Sequence, residues 1–357
     1  MQMPTPSATV LNKKSHIIRR LLDVLPTASV ISDPIQTRAY ECDALTAYRC
    51  VPMLAVLPAN TEQVSEVLKI CFEEGVPVVP RGAGTSLAGG AMPTADCVIL
   101  GVAKMNNVLE TDYENRLIRV QSGRTNLSVS GAVEEDGFFY APDPSSQLAC
   151  AIAGNIGMNS GGAHCLKYGG GHLDASGLDL LGVICGSEGQ LGVVTEATLR
   201  ILHKPVAARP VLIAFDENEV AGACVADIIK AGVLPVAIEF MDRLCIETSE
   251  NFAKAGYPDA EALLIVEVEG SEVEIEEQLS KIIAIAKRHN PVELRESKSE
   301  EESAKIWLGR KSAFGAIGQI SDYMCLDGTI PVSELPYVLR RIGEIGREYG
   351  LRVGNVF

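Results

Sequence analysis

The stretch Arg81-Gly-Ala-Gly-Thr-Ser-Leu-Ala-Gly-Gly-Ala91 comes almost directly after the apolar segment Val76-Pro-Val-Val79. Glycine lets the backbone adopt conformations that other residues avoid, and it lets backbone N–H groups approach a ligand closely. Successive N–H groups in such a loop form a concave site for an anion such as a pyrophosphate. Four glycines and two hydroxyl side chains after a buried strand therefore favour a binding loop over an ordinary surface turn.

The residues before this loop predict a strand–helix–strand unit. Asn60-Thr-Glu-Gln63 is typical of a capped helix start. The apolar residues that follow recur on one helical face until Gly75, and they are Val64, Val67, Leu68, Cys71 and Phe72. Two familiar nucleotide motifs do not fit, because Leu87 stands where the third glycine of G-x-G-x-x-G belongs and no G-K-[ST] follows. A simple NAD site and an NTPase site are therefore not supported.

Composition and charge indicate a globular protein without a nucleic-acid surface. The 357 residues suffice for two or three domains, and 47% hydrophobic residues can build sizeable cores. The net charge of −15 opposes binding to nucleic-acid phosphates. No run reaches the ~18 apolar residues of a membrane span, and no apolar signal region follows the basic N-terminus. We therefore expect a soluble, cytoplasmic protein that meets an anionic substrate with local positive charge.

The ten cysteines include no C-x-x-C pair. Most are therefore expected to be small core residues in a reducing compartment. We predict no metal site and no iron–sulfur cluster held by this chain alone.

The chain is expected to divide into three regions, which are a helical lead-in (1–53), a ligand-binding domain (54–204) and a second domain (205–357). In the ligand-binding domain we expect strands at 117–121 and 193–194 and a helix at 126–135. In the second domain, expected strands at 211–215, 237–240, 263–268 and 323–326 alternate with amphipathic helices such as 274–288. This alternation predicts an α+β cap with helices on one side of its sheet.

The end of the chain carries its own prediction. A helix is expected to begin at Ser333 and to end at Gly350, with a strand from Leu351 onward. Val356-Phe357 would leave an apolar edge without a partner strand. We therefore expect the natural protein to continue.

Further loops combine hydrogen-bonding side chains with flexible backbone. They are Ala141-Pro-Asp-Pro-Ser-Ser-Gln147, Ala153-Gly-Asn-Ile-Gly-Met-Asn-Ser-Gly-Gly162 and Gly186-Ser-Glu-Gly-Gln-Leu-Gly192. Singly, each is also compatible with an ordinary loop. In this order behind the glycine loop, and together with Cys165-Leu-Lys-Tyr-Gly169 and Met324-Cys-Leu-Asp-Gly-Thr-Ile-Pro331, they resemble one known family.

From about Leu54 to Phe357 the chain resembles the FAD-linked oxidases of the vanillyl-alcohol oxidase and p-cresol methylhydroxylase type. Within that type it is most similar to the glycolate oxidase flavoprotein subunit and to FAD-linked D-lactate dehydrogenases. The resemblance implies an α+β fold, in which a two-subdomain FAD-binding domain is followed by a ferredoxin-like cap, incomplete in this chain. It also implies oxidation of a small 2-hydroxy acid, with a hydride passing from the α-carbon to flavin N5.

The resemblance implies which residues bind FAD. The glycine loop would wrap the pyrophosphate, residues 142–145 would line the ribityl and flavin region, residues 154–162 would continue along the cofactor, and residues 189–194 would approach the adenine. Relatives with covalent flavin have histidine where Thr85 stands, so non-covalent FAD is implied. The residues concerned are Pro80, Arg81, Gly82, Ala83, Gly84, Thr85, Ser86, Leu87, Gly90, Ala91, Pro142, Asp143, Ser145, Gly154, Asn155, Asn159, Ser160, Gly161, Gly162, Gly189, Gly192 and Val194.

The resemblance also implies candidates for catalysis. Arg310 matches the position that grips the substrate carboxylate, and its alternative is a solvated helix-face arginine beside Lys311. The residues themselves, and not the resemblance, suggest Glu239 as the acidic residue that faces the cofactor cleft, because its neighbours indicate a buried strand; its alternative is an external strand carboxylate. His164 is a candidate flavin contact, whereas both His164 and His172 are also compatible with polar loop or core groups.

The chain departs from the family in two places. Relatives continue after Asn-Val-Phe with His-x-Gly-Asp-Gly-Asn-x-His and later Ser-Gly-Glu-His-Gly, whereas this chain ends at Phe357. A divalent metal is therefore expected only in a full-length form. Relatives also insert two strands of about 20 residues after Lys-Tyr-Gly, whereas Gly169-Gly-Gly-His-Leu-Asp174 runs almost directly onward. A fragment of a longer enzyme, the ordered part of a longer chain and a truncated inactive paralogue all stay open.

Three functions follow as hypotheses. The first is FAD-dependent oxidation of glycolate, D-lactate or a longer 2-hydroxy acid. The second is a catalytically incomplete flavin-binding or structural subunit of a multi-subunit oxidase, because relatives work with a partner flavoprotein and an iron–sulfur subunit. The third is a flavin oxidase of phenols or sugars, which the segment from Met324 to Pro331 disfavours.

Overall fold

The structure is a computed structural model that describes residues 3–169 and 177–357. The chain forms two compact units. The first comprises Met1–Gly162 and Gly170–Lys204, and the second comprises Ala163–Gly169 and Pro205–Phe357. His172 and the shortening expected after Gly169 lie outside the described residues.

The helices of the described residues are numbered in chain order. They are α1 (Ala8–Asn12), α2 (Lys14–Val24), α3 (Pro34–Thr37), α4 (Thr61–Glu74), α5 (Asn126–Gly131), α6 (Ile152–Met158), α7 (Cys165–Tyr168), α8 (Leu180–Ile184), α9 (Asn218–Lys230), α10 (Arg243–Ala253), α11 (Glu272–Arg288), α12 (Glu300–Lys311), α13 (Ala313–Ile320) and α14 (Leu335–Tyr349). Short 3₁₀ turns cover Thr27–Ser29, Arg38–Tyr40 and Val332–Glu334.

The strands are numbered in the same way. They are β1 (Val30–Ile31), β2 (Leu54–Val56), β3 (Val78–Arg81), β4 (Val98–Gly101), β5 (Val108–Asp112), β6 (Leu117–Gln121), β7 (Phe138–Phe139), β8 (Glu196–Arg200), β9 (Leu202–His203), β10 (Ala207–Phe215), β11 (Ala237–Asp242), β12 (Ala262–Gly270) and β13 (Glu293–Glu296).

The first unit has two apolar cores, as expected for two subdomains. One core lies between α2, α4 and a sheet of order β1-β2-β4-β3, in which β2, β3 and β4 are parallel. The other core joins α5 and α6 to the antiparallel sheet β5-β6-β8. Residues from the lead-in, such as Ile17 and Leu21, are fully buried in the first core.

Helix α4 shows how local chemistry sets this first core. The Asn60 side chain accepts a hydrogen bond from Gln63 N at 2.9 Å, and Gly75 ends the helix with φ +69°. Val64 and Val67 are buried as predicted, but Phe72 is 88% exposed. Phe72 was wrongly placed on the inner face because, at 100° per residue, it lies roughly 130° from the centre of the buried stripe.

Two local predictions in the first unit were also inexact. Residues 193–194 do not form a strand, since β8 begins at Glu196. The helix expected at 126–135 ends at Gly131. Both differences lie at element ends, where local pattern is weakest.

The second unit contains one antiparallel sheet of order β11-β12-β10-β13. The chain runs through β10, α9 and β11, and then through β12, α11 and β13. Two strand–helix–strand units joined in this order form a ferredoxin-like sheet, as predicted.

Helices cover both faces of this sheet, so the expectation of helices on one side was wrong. Helices α9, α11 and α14 pack on the face that carries Phe240 and Leu264. Helices α10, α12 and α13 pack on the opposite face, which carries Met241 and Ile265. Successive strand residues point to opposite faces, and β12 is buried along almost its whole length because both faces are covered.

The C-terminal part differs from the sequence expectation in two ways. Residues 323–326 are not in a strand, and Leu326 is 86% exposed. The end of the chain does have a partner strand. Val356 pairs with Met241, and Phe240 N donates a 2.6 Å hydrogen bond to the carbonyl oxygen of Phe357. The two phenylalanine rings, 4.9 Å apart, stack beside the edge of β11.

Candidate functional site

The glycine loop of the first unit presents its main chain rather than its side chains. Gly84 has φ +73°, a left-handed conformation that turns the loop back. In the described residues, none of the six consecutive N–H groups from Gly82 to Leu87 donates a hydrogen bond to the protein. Such a run of amides around a turn is a built anion site. The loop therefore fits the diphosphate of a dinucleotide.

The side chain of Arg81 packs against the glycine loop and connects it to the lead-in segment. Its Nη1 donates to the carbonyl oxygen of Cys42 at 2.8 Å, and its guanidinium lies 5.6 Å from the centre of the Tyr40 ring. Burial lowers the pKa of the Arg81 guanidinium. A methyl group on Gly84 would overlap this guanidinium. Arg81 thus acts within the scaffold of the loop.

A second brace comes from Asp43, which is 4% exposed. Its Oδ2 accepts a hydrogen bond from Ala91 N at 3.3 Å, and its Oδ1 accepts one from Leu45 N at 2.9 Å. Neither Tyr40 nor Asp43 was found from the sequence. Asp43 is 48 positions from its partner, and no local pattern signals a pairing of that kind.

The predicted cofactor segments converge within the first unit. A methyl group built on Gly82 would lie 3.6 Å from Gly154 N, and one built on Gly189 would lie 3.3 Å from Cγ of Pro80. One built on Gly162 would overlap the backbone of Asp143. Segments that are far apart in the sequence therefore meet where side chains are absent.

Two further buried polar residues join these segments. Asn126, 2% exposed, donates from Nδ2 to the Pro142 carbonyl at 3.0 Å and to Asn155 Oδ1 at 3.1 Å. Ser122 donates from Oγ to the Val194 carbonyl at 2.6 Å. The sequence analysis placed Asn126 only at the start of a helix and did not single out Ser122. The remaining predicted cofactor residues of this unit lie in the same loops and in α6.

In the second unit, the two predicted catalytic residues meet. Arg310 on α12 and Glu239 on β11 are 9% and 5% exposed, and Arg310 Nε lies 2.5 Å from Glu239 Oε2. In the described part of the chain, neither terminal nitrogen of Arg310 makes a hydrogen bond. The alternatives of a solvated arginine and an external carboxylate do not fit this burial. An arginine fixed through Nε still presents the fork that binds a carboxylate.

The same sheet face carries two further buried carboxylates on β12. Glu267 accepts a hydrogen bond from Trp307 Nε1 at 2.8 Å, and its Oε2 lies 3.2 Å from His164 Nε2. Glu269 accepts from Lys167 Nζ at 2.8 Å and from the Tyr168 hydroxyl. Burial, followed by the hydrogen bond to the carboxylate, raises the pKa of Tyr168.

His164 is thus placed in the second unit, with the cap sheet. Its role as a flavin contact stays a prediction. The sequence signal that was missed is the alternation in β12, which puts Glu267 and Glu269 on one face of a strand that is otherwise apolar.

Cysteine and metal chemistry have little support in the described residues. Five of the ten cysteines are buried. Burial raises the pKa of Cys71 and Cys224 to about 12 and that of Cys97 to about 11, so these thiols are not nucleophilic near neutral pH. Within residues 3–169 and 177–357, no three histidine, cysteine or acidic side chains are grouped as metal ligands. No helix in those ranges is long and apolar enough to span a bilayer.

Comparison with known proteins agrees with this architecture. A family model described as FAD binding domain matches residues 52–181, and one described as FAD linked oxidases, C-terminal domain, matches residues 204–357. Glycolate oxidase subunit GlcD of Escherichia coli is 43% identical over 96% of this chain and 74% of its own length. A D-lactate dehydrogenase of Anaerostipes hadrus is 30% identical over 72% of this chain and 58% of its own.

A solved structure shows the same fold at low identity. p-Cresol methylhydroxylase with bound substrate superimposes with a TM-score of 0.71 and 16% identity, over 88% of this chain and 73% of that protein. Fold and sequence together define the class, an FAD-linked oxidoreductase. The chain belongs to the family of FAD linked oxidases, and its relatives include glycolate oxidase subunit GlcD and a D-lactate dehydrogenase.

Proposed function

We propose that this chain oxidises a small 2-hydroxy acid of the glycolate or D-lactate class, with FAD held non-covalently by the first unit. Membership of the family supports the reaction class. The buried Arg310, anchored through Nε by Glu239, is the observation that carries the substrate class. A guanidinium in that state matches a carboxylate with two parallel N–H groups.

The fit of FAD rests on the main chain of the first unit. The N–H groups from Gly82 to Leu87 would hold the diphosphate, and the open space beside Gly154 leaves room for a ligand to lie against the backbone there. FAD supplies the hydride acceptor of the reaction when it is bound. The residues predicted above to contact it, and the division at 53 and 204, form part of this proposal.

Anaerobic reduction tests the reaction directly. The purified, FAD-loaded chain is mixed with glycolate, D-lactate or a longer 2-hydroxy acid, and the flavin absorption band is followed. Bleaching by at least one acid is expected, whereas an unchanged band with every acid would contradict the function. Acid precipitation of the same sample should release the yellow colour, and colour kept in the pellet would contradict non-covalent binding.

A second candidate is a flavin-binding subunit that is inactive alone. The relative GlcD is named as a subunit of glycolate oxidase, which favours an assembly with further chains. We infer that the partners are another flavoprotein and an iron–sulfur protein. Flavin that is bound but never bleached by any acid, in the chain alone, would favour this candidate. The cytoplasmic location stays a prediction.

A further inference from the structure

A pair of amide side chains, Asn126 at the start of α5 and Asn155 in α6, lies buried beside the cofactor segments of the first unit. Both residues are more than nine-tenths buried, as is Cys150. Asn126 Nδ2 lies 3.0 Å from the Pro142 carbonyl oxygen and 3.1 Å from Asn155 Oδ1, and Asn155 Nδ2 lies 3.3 Å from Cys150 Sγ. We call the Asn126–Asn155 pair the amide link.

The Pro142 carbonyl fixes the direction of these hydrogen bonds. A carbonyl oxygen only accepts, so the NH₂ group of Asn126 faces it, and the second hydrogen of that group points to Asn155. Asn155 therefore presents its oxygen to Asn126 and its NH₂ group to Cys150 Sγ. Both donors of the Asn126 amide are used within the protein. A carboxylate of the same shape at position 126 would make neither hydrogen bond.

The amide link lies between two of the segments proposed to hold FAD. Segment 154–162 meets the glycine loop at one end, since a methyl group on Gly82 would lie 3.6 Å from Gly154 N. At the other end of this segment, Gly162 packs directly against the backbone of Asp143. A ligand that is held by its diphosphate in the glycine loop and follows this segment therefore reaches the loop around Asp143.

We propose that Asn126 is a positioning residue, which is anchored by Asn155 and holds the Pro142 loop where this loop meets the flavin end of FAD. The proposal rests on the proposed function, in which residues 142–145 line the ribityl and flavin region. Because Asn126 is buried, it acts on the cofactor through the Pro142 main chain. It sets the geometry at the flavin end and leaves the diphosphate site in the glycine loop unchanged.

A general role in stability is the alternative, because a buried hydrogen bond stabilises a fold wherever it lies. The two roles differ in the part of FAD that they affect. ADP has the diphosphate and adenosine of FAD but no flavin, so it reports on the glycine loop without the Pro142 loop. A general loss of structure changes the binding of both ligands alike, whereas a displaced Pro142 loop weakens the binding of FAD alone.

The test measures the affinity of the FAD-free chain for FAD by flavin fluorescence and for ADP by calorimetry. Asn126→Leu removes both donors at similar size, and it should weaken FAD binding about 30-fold and ADP binding less than about twofold. Asn126→Asp should act in the same way, because a carboxylate cannot donate. The flavin absorption spectrum of the FAD-loaded Asn126→Leu chain should shift toward that of free FAD.

The same substitution at an exposed asparagine supplies the matched control. Asn115 lies at the surface, where its Nδ2 donates to Asp112 at 2.7 Å. Asn115→Leu should leave the affinity for both ligands at the wild-type value.

A double variant tests whether the two amides act as one unit. Asn126→Leu combined with Asn155→Leu should weaken FAD binding no further than Asn126→Leu alone, because their contributions to the Pro142 loop are not independent. The double variant also leaves neither amide facing a lost partner in the pair, so it serves where a single variant does not fold.

The outcomes separate the positioning role from the proposed function. Equal losses of FAD and ADP affinity, additive losses in the double variant, or wild-type FAD affinity and spectrum in Asn126→Leu would each overturn the positioning role. A wild-type chain that binds FAD but that no acid reduces overturns the proposed reaction and leaves the positioning role to these binding measurements. A wild-type chain that binds neither FAD nor ADP overturns both.

Discussion

The candidate sites of the two units consist of different chemical groups, which are backbone amides in the first unit and charged side chains in the second. In the first unit the site consists of backbone N–H groups from one contiguous loop, Gly82 to Leu87. In the second unit it consists of charged side chains from β11, β12, α12 and the segment around α7. A contiguous main-chain site is visible in the sequence as a glycine pattern, whereas a side-chain site depends on strand register and long-range packing.

The largest predicted effect tests the main-chain site. Gly84→Ala places a methyl group into the Arg81 guanidinium and adds strain at φ +73°. We expect FAD affinity to fall at least about 100-fold, which is about 2.7 kcal/mol, in a fluorescence titration of the FAD-free protein.

Gly137→Ala is the matched control, because Gly137 has φ +79° and open space around its Cα. The Gly137→Ala variant has the same kind of backbone strain but no overlap with a neighbouring side chain. Its affinity for FAD should therefore stay near that of the wild type. Equal losses in the two variants would show that strain, and not the shape of the loop, explains the result.

The next effect tests the side-chain site. Arg310→Ala should raise the hydroxy-acid concentration for half-maximal flavin reduction about 50-fold, because charged hydrogen bonds are each worth about 1.5–3 kcal/mol. FAD content should stay normal. Because Arg310→Ala also removes the guanidinium that pairs with the buried Glu239, Arg310→Lys, which keeps a positive charge, is measured beside it.

The exposed neighbour Lys311 supplies the control for this experiment. Lys311→Ala should leave both substrate and FAD binding unchanged. Unchanged kinetics in Arg310→Ala and Arg310→Lys would remove Arg310 from the substrate site.

A smaller effect tests the brace below the loop. Asp43→Asn weakens the bond that Oδ2 makes with Ala91 N, and FAD affinity should fall about 10-fold because charge-assisted hydrogen bonds are the stronger ones. Asp33→Asn is the control, since Asp33 accepts backbone hydrogen bonds in the same lead-in but caps α3 on the surface. An Asp43→Asn variant with wild-type affinity would show that the loop holds its shape without the charge.

The smallest effect concerns the docking of the lead-in on α4. Arg20 donates to Glu74 at 2.7 Å, which lowers the pKa of Glu74 below its ordinary 4.5, with further help from Lys13 and His16. Stability from this pairing is present above pH 4.5 and is lost as pH falls through the lowered pKa. Glu74→Gln should therefore melt earlier than wild type at pH 7, with the gap closing below pH 4.5. A gap that persists at low pH would assign the effect to packing.

Local chemistry was largely predictable from the sequence. The Asn60 cap, the Gly75 helix end and strand 117–121 follow from short-range rules, and the structure has all three. The ferredoxin-like sheet was predicted from the resemblance to the family.

Features that depend on distant contacts were not predictable. The pairs Asp43–Ala91 and His164–Glu267 join residues 48 and 103 positions apart. Their geometry exists only once strands and loops have packed. The strand predicted at residues 323–326 is absent from the structure. A short apolar run predicts a strand from local pattern alone, but a strand also needs a neighbouring strand with which to pair.

Hydrogen exchange of the backbone amides 82–87, with and without FAD, tests the central claim most directly. These N–H groups have no protein acceptor in the described structure, so they should exchange fast in the FAD-free chain and slow markedly when FAD binds. Binding of FAD with no change in their exchange would contradict the account, because the diphosphate would then be held elsewhere.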